Sequence, residues 1–262
     1  KNDEFLNRNF FDKDGNSYPN SNQEIIDKFQ AITGIRERRY ADQNHNTSDL
    51  ATFAAENSIK SANIDKETLD YIIVAHNFGE IDANSNNYIA LPSLASLVKH
   101  KLGIENPNCV AYDLIFGCPG WVEGVIQSSA YIKTGMAKKC LVIGADTLSR
   151  TVDSNDRDSM IFADGAGASI IEESSESGGI LSHKTVTHAG KEALYLFADR
   201  SYNPESESKI KHIKMNGRKV YEFAISTIPA ALKECLEESG KKIEDVKKIF
   251  LHQANEKLDE GR

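Results

Sequence analysis

The feature that most constrains this chain is a set of short apolar segments alternating with helix-patterned stretches between residues 48 and 147. Residues 69–75 ("LDYIIVA"), 109–115 ("CVAYDLI") and 140–144 ("CLVIG") are apolar almost throughout. Runs of that length and composition read as strands buried on both faces. Between them, apolar residues recur at helical spacing. Residues 48–62 carry Leu50, Phe53, Ala54 and Ala62, 92–102 carry Leu94, Leu97, Val98 and Leu102, and 119–134 carry Val122, Val125, Ile126 and Ala130. Pro119 suits a first helical turn. Helices alternating with buried strands predict an α/β fold.

Further along, 167–172 and 179–188 read as two extended segments in a hairpin-like arrangement. Residues 199–214 are polar and without period, which reads as a linker. The pattern then restarts. Val220, Phe223, Ile228, Ala231, Leu232, Cys235 and Leu236 give a helix kinked at Pro229, followed by a polar turn and a strand over 249–252. "GKKIEDVKKIFLHQ" repeats the order of "NIDKETLDYIIVAH": turn, acidic helical turn, apolar strand, polar strand end. The repeat predicts two pseudo-duplicated halves, 1–198 with the candidate nucleophile and 199–262 as the start of the second. A half reaching Arg262 just past its first strand would leave a sheet edge uncovered, so the second half is expected to be truncated.

The net charge of −8 provides no global positive field for phosphates, so nucleic acid is not an expected partner. No apolar run is long enough to span a bilayer, and residues 1–11 do not have the pattern of a secretory signal. Four scattered cysteines, Cys109, Cys118, Cys140 and Cys235, include no Cys-x-x-Cys pair. They read as reduced thiols in a cytoplasmic protein rather than a disulfide or zinc framework.

Cys118, in "DLIFGCPGW", falls between a strand and a helix. Backbone N–H groups point outward there, and the positive end of the helix dipole favours thiolate. Gly117 and Gly120 allow a sharp turn and a close approach. The alternative is a buried structural cysteine, the reading that fits the other three better. His252 closes a strand in "IFLHQAN", where an imidazole can donate to an oxyanion or be held by a carbonyl. His76 ends the matching strand of the first copy without a supporting motif. "TGIRERR" (33–39) clusters arginines that hold a phosphate or face water. "FADGAGASIIEE" (162–173) lacks the strand–helix context of a dinucleotide fingerprint. "KIKHIKMNGRK" concentrates Lys209, Lys211, Lys214, Arg218 and Lys219, which reads first as a solvated basic face.

Together, "TGIRERR", "DLIFGCPGW", "VIGADTLSRTVDSNDR", "FADGAGA" and "HQAN" resemble the β-ketoacyl-acyl-carrier-protein synthase III family in order and approximate spacing. The resemblance implies a thiolase-like layered fold of two similar halves, and a homodimer. It matches Cys118 to the family nucleophile and His252 to its catalytic histidine. The implied reaction condenses an acyl-CoA primer with malonyl-acyl-carrier protein through an acyl-cysteine, with loss of carbon dioxide, at the start of fatty-acid synthesis. Coenzyme A enters as the substrate's thioester, with no further cofactor and no metal. Thr33, Arg157, Leu91, Gly217 and Asn255 match substrate-binding positions, and Arg218 and Lys257 match the docking face for an acidic acyl carrier protein. Three departures stand out. The family's catalytic asparagine after the histidine motif has no counterpart by Arg262. The glycine-rich oxyanion loop is missing too. Lys28, with Phe29 beside it, stands near the expected adenine-stacking aromatic, while Ile32 replaces an arginine before Thr33. Other readings are a related synthase of a specialised lipid or polyketide pathway, and a non-catalytic partner subunit.

Overall fold

The computed structural model describes residues 1–176 and 178–254. In chain order the helices are α1 (Asn22–Thr33), α2 (Thr47–Ala62), α3 (Leu94–Lys101), α4 (Gly120–Lys133) and α5 (Gly217–Glu238). The strands are β1 (Tyr71–His76), β2 (Glu80–Ile81), β3 (Tyr88–Ile89), β4 (Val110–Ile115), β5 (Lys139–Thr147), β6 (Asp164–Glu172), β7 (Leu196–Asp199) and β8 (His212–Met215). Residues cluster into two compact units. The sheet unit comprises 39–150 and 164–180; the ribbon unit comprises 1–38, 151–163 and the chain from 181 onward. These are units of contact, whereas the halves 1–198 and 199–262 are units of sequence pattern.

The sheet unit is built on four strands in the order β4-β1-β5-β6. β1 pairs in parallel with β4 and β5, as the helix–strand alternation requires, and β6 runs antiparallel to β5. Side chains alternate across the pleat. Ile72 and Val74 of β1 and Leu141 and Ile143 of β5 share one core with Ala51 and Ala55 of α2 and Leu94 and Val98 of α3. Ile73, Ala75 and Val142 face α4 on the other side of the sheet.

Two helices bury a different stripe from the one their apolar periodicity predicts. α2 buries Thr47, Ser48, Ala51, Thr52 and Ala55, while Phe53 is exposed and Leu50 and Ala54 are only half-buried. α4 buries Gly120, Gly124 and Ser128, leaving Val122 and Ala130 exposed. Small residues let the helix backbone lie close against the sheet, and that proximity selects the inward face. α3 follows its predicted stripe, with Leu94, Val98 and Leu102 buried.

Three extended segments also differ from expectation. The 179–188 stretch forms no strand; β6 instead pairs along its whole length with β5, from Asp164 opposite Thr147 to Glu172 opposite Lys139. The supposed linker contains β8, which forms an antiparallel ribbon with β7, Asp199 opposite His212. Residues 249–252 are not a strand, since apolar composition without a paired edge does not fix extended backbone. α5 does run through Pro229.

The ribbon unit has its own core of Phe5, Phe10, Ile25, Ile26 and Met160, with Tyr18 and Phe29 packed against it. Lys214 is not on a solvated face: it is fully buried on β8, 2.6 Å from Asp153 and 3.2 Å from Asp156, and its Nζ lies 3.3 Å from the centre of the Tyr202 ring. Asp153 also accepts from the Tyr202 N–H and the Ser201 hydroxyl. This network joins the 151–163 segment to the ribbon, beside a backbone bond from Ile213 N–H to the Thr151 carbonyl.

Candidate active site

The carboxyl ends of β1, β4 and β5 lie side by side, the usual location of ligands in a parallel sheet. β4 ends at Ile115 and α4 begins at Gly120, so the chain must reverse within four residues, Phe116 to Pro119. Gly117 makes the reversal at φ +69°, in the left-handed region that side chains disfavour, and Cys118 follows it, exposed to solvent. The first helical turn packs hard on β1: a Cβ at Gly120 would lie 2.8 Å from that of Ala75. The Cys118 turn thus begins on a left-handed glycine and ends on a helix held close against β1.

The polar groups near these strand ends come from β1, β4 and β5 and from the residues just after β1. Asp146, near the end of β5, accepts hydrogen bonds from the Asn77 N–H at 3.0 Å, from the Asn77 side-chain amide at 2.8 Å and from the Phe78 N–H at 3.4 Å. The Asn77 Oδ1 lies 3.1 Å from where a Gly117 Cβ would sit. Buried His76, the last residue of β1, places Nε2 3.1 Å from Asp113 Oδ2. Burial alone would raise the Asp113 pKa, but His76 and the N–H groups of Ala95 and Leu94 hold it below the usual carboxylate range.

The thiol's electrostatics differ from the expectation of a dipole-stabilised thiolate. Desolvation by the surrounding protein and then the Asp146 carboxylate push the Cys118 pKa up, against a smaller downward pull from its own backbone N–H. Desolvation and a negative neighbour outweigh that backbone donor. Cys109 and Cys140 are buried in the sheet unit, and the Cys235 sulfur lies 3.3 Å from the Ser182 hydroxyl.

The remaining candidates divide between the units. Leu91, in the sheet unit, precedes a cis proline and is 83% exposed. In the ribbon unit, Thr33 is buried, its hydroxyl donating to the Phe29 carbonyl and accepting from the Ile35 N–H. Phe29 packs on the core beneath Arg38 rather than presenting a free ring, while Lys28 is exposed. Arg157 lies on a one-turn helix, Arg157–Ile161, its guanidinium 4.7 Å from the centre of the Tyr18 ring. Neighbouring Asp158 is pushed up to about 6, by burial and then by the Asp156 charge. Gly217 opens α5, and Arg218 and Lys219 both pair with Glu222 at 2.8 Å. Glu222 and Lys219 line a groove of about 250 Å³ with Lys191 and Phe223. His252 is exposed; Asn255 and Lys257 lie outside the described residues. Among the described residues, no cluster of His, Cys, Asp or Glu could hold a metal ion, and no helix is long and apolar enough to cross a membrane.

Asp146, Asn77 and Tyr18 were not singled out by sequence reasoning. Asp146 sits inside "VIGADTLSR", where a carboxylate closing an apolar strand was the available signal. Asn77 and Tyr18 carried none.

Residues 112–189 match the family model for 3-oxoacyl-[acyl-carrier-protein] synthase III. The chain is 39% identical over 232 residues to a β-ketoacyl-[acyl-carrier-protein] synthase III of Clostridium acetobutylicum, covering 87% of this chain and 68% of that protein. It is 38% identical over 236 residues to the corresponding protein of Fusobacterium nucleatum, covering 87% and 69%. The crystal structure of 3-oxoacyl-[acyl-carrier-protein] synthase III from Aquifex aeolicus superposes with a TM-score of 0.78 at 31% identity, over 90% of this chain and 70% of that one.

Proposed function

This chain belongs to the β-ketoacyl-[acyl-carrier-protein] synthase III family, with its α/β thiolase-like fold, and we propose that it is a 3-oxoacyl-[acyl-carrier-protein] synthase III initiating fatty-acid synthesis. Cys118 carries the reading. It sits on a glycine turn at the carboxyl edge of parallel strands, at the head of a helix.

The Cys118 sulfur attacks the carbonyl of an acyl-CoA primer; the thioester bond breaks and coenzyme A leaves as the thiol, carrying the proton. Malonyl-acyl-carrier protein then loses carbon dioxide, and its carbanion attacks the acyl-cysteine, releasing the Cys118 thiolate and a 3-oxoacyl-carrier protein. His252 hydrogen-bonds the malonyl thioester oxygen, where charge gathers as carbon dioxide departs, and the Cys118 backbone N–H holds the acyl oxyanion. The thiolate is the attacking form, so the upward push on Cys118 makes acylation faster as pH rises.

In this reading the thioester and the decarboxylation drive the reaction without a separate cofactor. Arg157, Thr33, Gly217 and Asn255 bind the coenzyme A substrate. Arg218 and Lys257 receive the acidic carrier protein, Leu91 borders the acyl pocket across a homodimer, and the enzyme works in the cytoplasm. The sequence halves 1–198 and 199–262 belong to the family's two repeats.

The test is to incubate the protein with short acyl-CoA donors and map the acylated residue by mass spectrometry. Label on Cys118, lost in Cys118→Ala, is expected; label on Cys109, Cys140 or Cys235 with Cys118 clean refutes the assignment. His252→Ala should keep that label yet lose on the order of 10²-fold in carbon dioxide release from malonyl-carrier protein. Equal loss of both steps would remove it from the decarboxylation step.

A further inference from the structure

We infer that Asp146 is a positioning residue for the nucleophile: through Asn77 and Phe78 it fixes the floor under the Gly117–Cys118 turn. This rests on Cys118 being the nucleophile, and it assigns work to a side chain that the reaction scheme does not use.

The geometry runs in one chain of contacts inside the sheet unit. Asp146 is near the end of β5, and Asn77 and Phe78 are the first residues after β1. Three donors, the Asn77 N–H, the Asn77 amide and the Phe78 N–H, converge on one carboxylate. That bracket closes the exit of β1 onto β5 and fixes the Asn77 rotamer. The opposite end of the same amide, Oδ1, is then placed 3.1 Å from the Gly117 Cβ position, too close for any residue but glycine to fit without a shift. The turn therefore rests on a side chain whose orientation Asp146 sets. A carboxylate suits this task better than a neutral amide, because it accepts from all three donors and charge-assisted bonds are the stronger kind.

The same group acts on the thiol. Towards the turn end of these elements the titratable groups are Asp146 on β5, His76 at the end of β1, Asp113 on β4 and Glu123 in the first turn of α4, while Tyr71, Tyr112, Tyr131, Lys133, Lys139 and Cys140 lie towards their other ends. His76 and Asp113 face one another. Asp146 acts on Cys118 through space and disfavours the charged sulfur. Such restraint keeps the resting thiol protonated and slow toward adventitious electrophiles.

Two variants separate the two effects. Rates of iodoacetamide alkylation at Cys118 are measured against pH, with acylation from acyl-CoA followed in parallel. Asp146→Asn removes the charge and should move the alkylation profile to lower pH, with labelling at pH 7.5 roughly threefold or more faster. Asn77→Ala leaves the charge but removes the floor; it should slow acylation roughly fivefold or more without moving the profile to lower pH. A merely structural role would leave the profile where it is. An unchanged profile in Asp146→Asn that melts as the wild type does overturns the electrostatic part. Undiminished acylation in Asn77→Ala overturns the positioning part, whether or not the Asp146 variant folds. Acyl transfer surviving in Cys118→Ala would instead refute the nucleophile assignment itself, so the two failures are distinguishable.

Discussion

Gly124→Ala probes the packing that seats α4, the helix that follows Cys118. A Cβ at position 124 would lie 2.7 Å from Val142 Cγ1 and 3.6 Å from Ile73 Cγ2. Carbon atoms settle at about 3.5–4.0 Å, so the closer pair must separate by roughly 1 Å. Val142 cannot easily yield: it is fully buried, β-branched and paired on β5 between β1 and β6. The displacement therefore falls on α4. Alanine in a helix interior gains about 0.5–1 kcal/mol over glycine, whereas overpacking a core costs about 1–3 kcal/mol. Overpacking wins, and the variant should lose about 0.5–2 kcal/mol in urea denaturation. Because α4 begins two residues after Cys118, acylation should slow as well. Gly165→Ala on β6 is the control, since a Cβ there meets nothing within 4 Å. Val142→Ala in the Gly124→Ala background should restore part of the loss, with a coupling of about 0.5 kcal/mol or more. A Gly124→Ala variant as stable as the wild type, or strict additivity in the double variant, would refute the close-packing argument.

Two further outcomes are expected. Lys214→Met should cost about 3–5 kcal/mol in denaturation, because Asp153 and Asp156 would be left as buried carboxylates without their cation. Burial raises the Asp153 pKa, but Lys214 and the Tyr202 N–H bring it below its ordinary value. Its stabilising contribution is therefore present above the unfolded-state pKa and lost as pH falls through the folded-state value. Wild-type stability should show that acid loss, and a Lys214→Met protein with the wild-type acid dependence would contradict it. Leu91→Phe should shift primer preference from longer or branched acyl groups back toward acetyl, each CH₂ being worth about 0.8 kcal/mol, roughly fourfold in kcat/KM. The comparison is acetyl-, isobutyryl- and hexanoyl-CoA on a properly dimeric variant, and an unchanged ranking removes Leu91 from selectivity.

The sequence by itself determined the helix–strand alternation of 47–147, because buried parallel strands and the helices between them leave local patterns of composition and period. It also placed Cys118 at a strand–helix junction, where glycine at 117 and 120 already announced a sharp turn and a close approach. Only the tertiary structure decided which helix faces turn inward. Apolar periodicity marks Val122 and Phe53, but the closeness of backbone to sheet favours Gly124 and Ala51, and closeness is a property of two elements at once. Pairing was equally hidden. β6 found β5, and β8 found β7 inside an apparently polar linker, because strand partners are chosen by long-range hydrogen bonds rather than by local composition. The charges show it most clearly. Lys214 reads as a solvated base and is a buried ion; Cys118 reads as a thiolate beside a helix end, and desolvation by the surrounding protein together with Asp146 pushes it the other way. A side chain's charge is written in the sequence, but the dielectric and the neighbours that fix its behaviour arrive only when distant segments meet.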